Sequence, residues 1–467
     1  MADVSVTTTA GGETALKEAT INSFASHLRG GVLRAGHGGY DGARKVWNGM
    51  IDKRPALIVR CAGVRDVVHT VRFARDNDLL VSVRGGGHNI AGKAVCDGGL
   101  MIDLSGMKSI QVDPGKRTAR VEGGALLGDL DAATQKFGLA TTAGVVTHTG
   151  VGGLTLGGGV GRLARKHGLA CDNLLAVELV TAAGEVVRAS AAENADLFWG
   201  LRGGGGNFGV ATAFEFQLHS VGPEVLGGIV VHRLKDAKAA LQFYGEYSRT
   251  APDELSADAS FFTSPDGELL FSVSVCYIGS IEQGERVLQP LRRFGPPLSD
   301  EIRPMAYTEV QAADDAIFPN GLCYYWKSHF LKEISADAVD VAVRSFARIP
   351  SPRSVLAFQQ FGGAVSRIGQ SETAFCHRDT QYDNLFVSIW TDPSESEVQK
   401  KCAREWWDAM KPFSIGGEYV NNLGEEGEER VRASYGANYE RLVALKNKYD
   451  PTNFFRLNAN IKPTARE

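Results

Sequence analysis

Apolar positions Val64, Val67, Val68, Val71 and Phe73 are spaced to form one face of a helix. This helix stands between two extended runs, Ala56–Arg60 and Leu79–Val83, which together make a β-α-β unit of about 30 residues. Short strands are predicted next at Leu100–Leu104, Ser109–Val112 and Ala119–Glu122, then a helix at Ala125–Phe137 that stops at Gly138. Leu174–Thr181 and Glu185–Ser190 flank Ala182-Ala183-Gly184 as a hairpin, and Val210–Leu218 is a further strand. Residues 21–220 therefore read as a β-rich α+β unit behind a polar, frayed N-terminus at 1–20. The texture changes at Val221-Gly222-Pro223. Strands at Gly227–Val231, Ala259–Phe262, Leu269–Val275, Val355–Phe361 and Leu385–Trp390 alternate with helices near 236–247, 281–294, 336–347 and 395–410. Residues 221–410 thus form one antiparallel sheet covered by helices, a second domain. The last stretch, 411–467, holds a helix at Glu428–Lys448 and the turn-rich Tyr449-Asp450-Pro451-Thr452-Asn453.

Glycine changes this picture. Its 55 occurrences in 467 residues exceed the usual share of roughly 7%, and they cluster. The strand Leu79–Val83 runs into Arg84-Gly85-Gly86-Gly87-His88-Asn89. A second segment spans Gly150–Gly161 with seven glycines among twelve residues, and a third is Arg202-Gly203-Gly204-Gly205-Gly206-Asn207-Phe208-Gly209. Glycine lets backbone turn sharply and approach a ligand, and successive N–H groups in such turns suit an anion such as pyrophosphate. Taken alone, the first loop is equally a glycine-rich turn with a surface histidine. A dinucleotide fingerprint of the GxGxxG kind is not met, because the spacing in Gly157–Gly161 differs and no acidic residue follows at the right distance. No GK[ST] follows any glycine run, which excludes a P-loop. Three glycine loops in one unit fit a long ligand, and FAD better than a mononucleotide.

Charge and cysteine usage exclude several classes. A net charge of -4 with no long basic run points away from nucleic acid and anionic membrane. Seven cysteines without a CxxC pair argue against a disulfide framework and a zinc site, so no metal is expected. With no apolar run of spanning length and no signal-peptide pattern at Met1–Thr7, the expectation is a cytoplasmic monomer or homodimer acting on a small molecule.

Five collinear stretches carry a family resemblance: Arg84–Asn89, Gly150–Gly153, Gly157–Gly161, Arg202–Gly209 and Tyr449–Arg456. They resemble the berberine bridge enzyme-like flavoproteins of the vanillyl-alcohol oxidase / p-cresol methylhydroxylase superfamily. The nearest look is that of the bacterial branch containing 6-hydroxy-D-nicotine oxidase. The resemblance implies a PCMH-type FAD domain in two parts with a substrate domain inserted between them. It implies flavin contacts at Arg84, Gly85, Gly86, Gly87, His88, Asn89, Gly92, Gly144, Val146, Thr149, Gly150, Gly152, Gly153, Gly157, Gly161, Val210, Asn458 and Asn460. His88 matches the histidine bonded to the flavin 8α-methyl carbon. Val146 occupies the position of a second, cysteinyl link in many relatives, so a single covalent bond through His88 is expected, with Cys171 a packed core thiol. Thr149 matches a position over the flavin face that influences access of oxygen. It favours an oxidase, producing hydrogen peroxide from O2, over a dehydrogenase with another acceptor.

On the substrate side, the family's Tyr-x-Asn-Tyr stretch is Tyr419-Val420-Asn421-Asn422 here, so Asn422 stands where relatives have a tyrosine base. His377-Arg378 and Tyr382–Phe386 match the strand that carries a Glu or Gln beside the substrate. That position is Leu385 or Asn384. Strand alternation places Tyr382, Asn384 and Phe386 together, and this face is expected to line the pocket. His148 is a candidate base near the flavin. Without a strong base at either position, an amine or an activated benzylic or allylic alcohol is favoured, and Tyr324-Tyr325-Trp326-Lys327 suits an aromatic substrate. A sugar or secondary-metabolite alcohol, or a flavin-fold protein that has lost turnover, are the other readings.

Overall fold

The computed structural model describes residues 3–464, and Met1, Ala2 and residues 465–467 lie outside them. The segment expected to fray is ordered into a hairpin. Val4–Thr7 pairs antiparallel with Glu13–Leu16, and Thr7 exchanges backbone hydrogen bonds with Gly98 and Leu80 at 2.8 and 2.9 Å. Buried Val6 and Leu16 explain this: they join the core beneath the first β-α-β unit.

That unit forms as predicted, with the helix at Val64–Asp76 burying Val67, Val71 and Ala74. Asp66 in its first turn accepts the N–H groups of Arg29, Gly30 and Ala62 at 2.8–3.0 Å, which anchors the preceding chain to the helix start. Its two strands do not pair with each other. Leu100–Asp103 lies between Leu57–Arg60 and Val81–Arg84 and runs parallel to both, and Gly31–Leu33 completes the four-stranded sheet. A five-stranded sheet follows in the spatial order Val186–Ser190, Leu174–Val180, Val210–Gln217, Thr118–Glu122, Ile110–Asp113.

The middle of the chain builds an eight-stranded sheet, antiparallel at every pairing. Its central order is Glu224–Arg233, Leu269–Tyr277, Leu255–Thr263, Val355–Gln360, Tyr382–Trp390, Cys323–Leu331. The last of these was not predicted as a strand. Helices Ala237–Thr250, Ala336–Phe346 and Ser396–Met410 pack on one face of this sheet through Leu241, Tyr244, Val339, Phe346, Trp406 and Met410. The other face looks toward the glycine loops.

The helix predicted at Glu428–Lys448 is broken in two, Glu428–Tyr435 and Tyr439–Tyr449, by Gly436 with φ of +50°. Beyond it the chain returns to the third glycine loop. Lys446 Nζ donates to the carbonyls of Asn207 and Phe455 and to Asp450 Oδ2 at 2.6–2.9 Å. The Asn207 amide donates to the carbonyls of Gly204 and Ala459 and accepts from Ile461 N–H.

Candidate active site

Two glycine loops meet backbone to backbone. A Cβ on Gly86 would lie 2.3 Å from Gly150 N, and a Cβ on Gly150 would lie 2.3 Å from Gly86 N. Gly161 backs on to the Ala143 carbonyl, 2.0 Å from its would-be Cβ. No side chain fits at these positions, so glycine here permits a close approach of segments rather than a loose turn. On the other side Gly153 and Gly206 face open space, with nothing within 4 Å of a would-be Cβ.

That open space is a cavity of about 450 Å³ bounded by all three glycine loops, the C-terminal segment and the inserted sheet. Gly85, Gly86, Gly87, His88 and Asn89 line it, with Gly144, Val146, Thr149, Gly150, Gly152, Gly153, Val210 and Asn458. Among the other expected contacts, Arg84, Gly92, Gly157, Gly161 and Asn460 are off the wall. Arg84 forms a bidentate pair with buried Asp103, at 3.1 and 2.7 Å, and so braces the strand that delivers the loop. Gly157 is packed under the Asn421 side chain, and Gly92 against Ile51.

His88 is half-buried, and its Nε2 is buried and unpartnered. Its ring stacks on Trp47 at 4.2 Å between centroids and lies 5.1 Å from His148. Burial, with the neighbouring His148, pushes its pKa down to about 3, so the imidazole is neutral with a free lone pair. Trp47 is a site residue the sequence reading missed. It stacks on Tyr324 at 3.8 Å and donates from Nε1 to the Phe318 carbonyl at 2.9 Å. The adjacent Asn48 bridges the Ile90 and Tyr324 backbones. Lys93, also missed, is a cation on the wall with Nζ held by the Asn458 carbonyl at 2.8 Å.

These features fit FAD: a glycine cradle open to one side, a cation on its wall, and an unpartnered buried imidazole nitrogen. No cysteine stands among the described residues of the wall. Cys171 is fully buried, and its thiol pKa is raised well above the ordinary value by desolvation.

The inserted sheet supplies the opposite wall with the face contrary to expectation. Val355, Ala357 and Gln359 on one strand, and Leu385 and Val387 on the next, line the cavity. The register pairs Val355 with Val387 and Ala357 with Leu385. Tyr382, Asn384 and Phe386 point to the helix-covered side. There Tyr382 Oη bonds Ser248 Oγ at 2.7 Å, the Asn384 amide donates to the Ala357 carbonyl, and Phe386 packs on Trp406. Tyr382 and Asn384 therefore do not reach the cavity. The helices over that face need large buried side chains beneath them, and these three provide them.

Tyr419 and Asn422 do line the cavity. The Tyr419 hydroxyl oxygen accepts from Gly159 N–H and from the Asn421 amide, both at 2.7 Å, and desolvation raises its pKa. It ties the C-terminal segment to the second glycine segment as a neutral phenol. The Asn422 amide donates to Asp383 Oδ2 at 2.7 Å, and burial together with Glu418 holds the Asp383 pKa well above the carboxylate range. His148 is half-buried, both ring nitrogens are unpartnered, and it is off the wall behind His88.

At the far strands of the sheet the wall turns polar. Asp258, Ser260 and Ser274 face the cavity with Arg162, Asp314 and Gln359. None of these was singled out by sequence, since they come from five separate segments with no motif in common.

Comparison with known proteins agrees with this geometry. Residues 55–190 match the FAD binding domain model and residues 418–462 the berberine and berberine-like model. An FAD-linked oxidoreductase from Dictyostelium discoideum is 36% identical, over 95% of this chain and 97% of its own. The (R)-6-hydroxynicotine oxidase of Paenarthrobacter nicotinovorans is 35% identical, over 93% of this chain and 97% of its own. The crystal structure of 6-hydroxy-D-nicotine oxidase from Arthrobacter nicotinovorans superposes with a TM-score of 0.86 at 33% identity, covering 93% of this chain and 98% of that one. The fold and cavity define a flavin-dependent oxidoreductase of the vanillyl-alcohol oxidase type. The chain belongs to the berberine bridge enzyme-like family of FAD-linked oxidoreductases.

Proposed function

We propose that this chain is an FAD-dependent oxidase that carries its flavin on a single covalent bond to His88. Its substrate is a small aromatic or cyclic amine, or an activated alcohol. The observation that carries the reading is the neutral, half-buried His88 ring at the end of the glycine cradle, with no cysteine among the described residues of the cavity wall. Its lone pair is free to bond the flavin 8α carbon, and Trp47 stacking fixes the ring plane. When bound, FAD supplies the hydride acceptor, with O2 taking the electrons to give hydrogen peroxide.

The protein's part is then to place a C–H bond and manage one proton. Trp326, Leu385 and Val387 present apolar surface to an aromatic or cyclic substrate and exclude water. Asn422, fixed by Asp383, offers an amide group for the substrate N–H or O–H. An amide orients this group and does not take its proton, which favours a neutral amine or an activated alcohol over an unactivated one. Thr149 on the wall leaves room for O2 where a bulky aliphatic side chain would not.

Acid precipitation of purified protein is expected to keep the yellow colour with the polypeptide, and peptide mapping to place one flavin on His88. Colour released wholly to the supernatant of a matured sample would refute the tether. Reduction in anaerobic solution by a panel of amines, alcohols and sugars tests the activity. Reoxidation faster by a dye than by air would make the enzyme a dehydrogenase.

A further inference from the structure

At the polar end of the cavity two carboxylates meet one guanidinium. Arg162, whose side chain is 3% exposed, shares its guanidinium between two carboxylates. NH1 donates to Asp258 Oδ2 and Ser274 Oγ at 3.3 Å, and NH2 donates to Asp314 Oδ2 at 2.9 Å, while Nε is unpartnered. Two carboxylates thus share the one guanidinium that touches them. The nearby Arg165 touches neither carboxylate, its guanidinium donating to the carbonyls of Phe361 and Ala251, and its charge acts on Asp258 less than that of Arg162. Asp258 is held in place from behind by the Gln360 N–H at 2.8 Å. Its pKa is raised by burial, with Asp314 adding to the effect and Arg162 opposing it.

We propose that Asp258 and Asp314, braced by Arg162, form a recognition subsite for an ammonium group on the substrate, remote from the C–H that is oxidised. The sheet sets the separation. Asp258 lies on Leu255–Thr263, and Leu385 lies two strands away across Val355–Gln360, level with Ser260 and so two residues further along, which at the usual strand spacing and rise is about 12 Å. The wall between them, Ala357 and Ser260 directly paired, is small and uncharged. A substrate with an oxidisable amine at one end of a flat body and a second, protonated amine at the other would span it. The ammonium would give these two carboxylates a second cationic donor in a low-dielectric cavity, where a charge-assisted hydrogen bond counts for most.

This inference deepens the oxidase reading and rests on it for the location of the reacting end. The test compares three ligands of one shape, p-xylylenediamine, 4-(hydroxymethyl)benzylamine and 1,4-benzenedimethanol, by calorimetric titration of the anaerobic holoenzyme. The two amines are expected to bind about tenfold more tightly than the diol, the scale of one added charge-assisted hydrogen bond. Asp314→Asn, which leaves the Arg162–Asp258 pair intact, is expected to bring that preference to within about twofold, and Asp258→Asn to do the same. Equal binding of the amino alcohol and the diol, no binding by any of the three, or a preference that survives both substitutions would overturn the subsite. Preferential binding of the amines by a protein whose flavin no ligand reduces would sustain the subsite and refute the oxidase reading.

Discussion

Lys446→Met is the sharpest test of how the C-terminal segment holds the flavin cavity together. Lys446 and Asp450 both have side chains that are 0% exposed and meet at 2.6 Å. The substitution keeps the apolar stem and removes only the ammonium. It strands the Asp450 carboxylate with two backbone donors, Phe454 and Phe455 N–H at 2.7 and 2.9 Å. It also leaves the Asn207 and Phe455 carbonyls short of the donor they share. Removing one member of a buried ion pair costs about 3–5 kcal/mol. At roughly 2–4 °C per kcal/mol for a unit of this size, the flavin domain should melt about 10 °C lower. The same lysine fixes Asn207, which in turn holds the Gly204 and Ala459 carbonyls. Flavin should therefore be lost at a lower temperature too, read as a rise in flavin fluorescence in a His88→Ala background. Lys446→Met/Asp450→Asn should be less destabilised than Lys446→Met alone, because it removes the stranded charge. A melting point within about 2 °C of wild type, below the shift that even 1 kcal/mol gives, or additive effects in the double variant, would refute the reasoning.

Gly86→Ala should abolish flavin loading while leaving the inserted domain folded, because the new methyl would lie 2.3 Å from Gly150 backbone nitrogen; absorbance at the flavin band checks it. Asn422→Leu should lower kcat/KM by about tenfold, the scale of one hydrogen bond, with flavin content unchanged, measured by steady-state oxidation of the best substrate found. Glu418→Gln should flatten the pH dependence of stability. Burial raises the Glu418 carboxyl from 4.5 to about 7, so its stabilising share is full below about pH 4.5 and is lost as pH rises through about 7. At 1.36 kcal/mol per unit this is about 3 kcal/mol, and the melting point should fall less between pH 5 and pH 8.5 in the variant than in wild type. An unchanged fall would assign the pH dependence to other groups.

Much of the flavin side was legible in the sequence because its requirements are local. Close backbone approach at Gly86, Gly150 and Gly161 admits one residue type, and that need leaves a mark that can be read without the fold. Arg84 was misread for the opposite reason. Its place in the motif is real, but its guanidinium is committed to Asp103, a residue that only the parallel pairing of two strands brings beside it. The substrate side depends on which face of a strand turns inward. Alternation sorts Tyr382, Asn384 and Phe386 from Asp383, Leu385 and Val387, yet a one-residue error in facing exchanges the sets entirely. The three helices that bury the first set come from distant parts of the chain, so the pattern within the strand could not choose between them.

Trp47 shows how the legible and the illegible halves are joined. It belongs to neither the glycine motifs nor the inserted sheet, yet it stacks His88 on one side and Tyr324 on the other. Its own N–H is bonded to the His88 loop through the Gly87 carbonyl at 3.0 Å, and its indole to Phe318. Phe318 lines the cavity in the same segment as Asp314, whose neighbour Asp315 accepts from Thr147 N–H at 2.7 Å. The loop that carries His88, the stretch beside Thr149 and the segment that carries Asp314 are therefore braced against one another. A flavin held at His88, as proposed, would set its distance from the polar end of the cavity, and with it the length of substrate that could be oxidised.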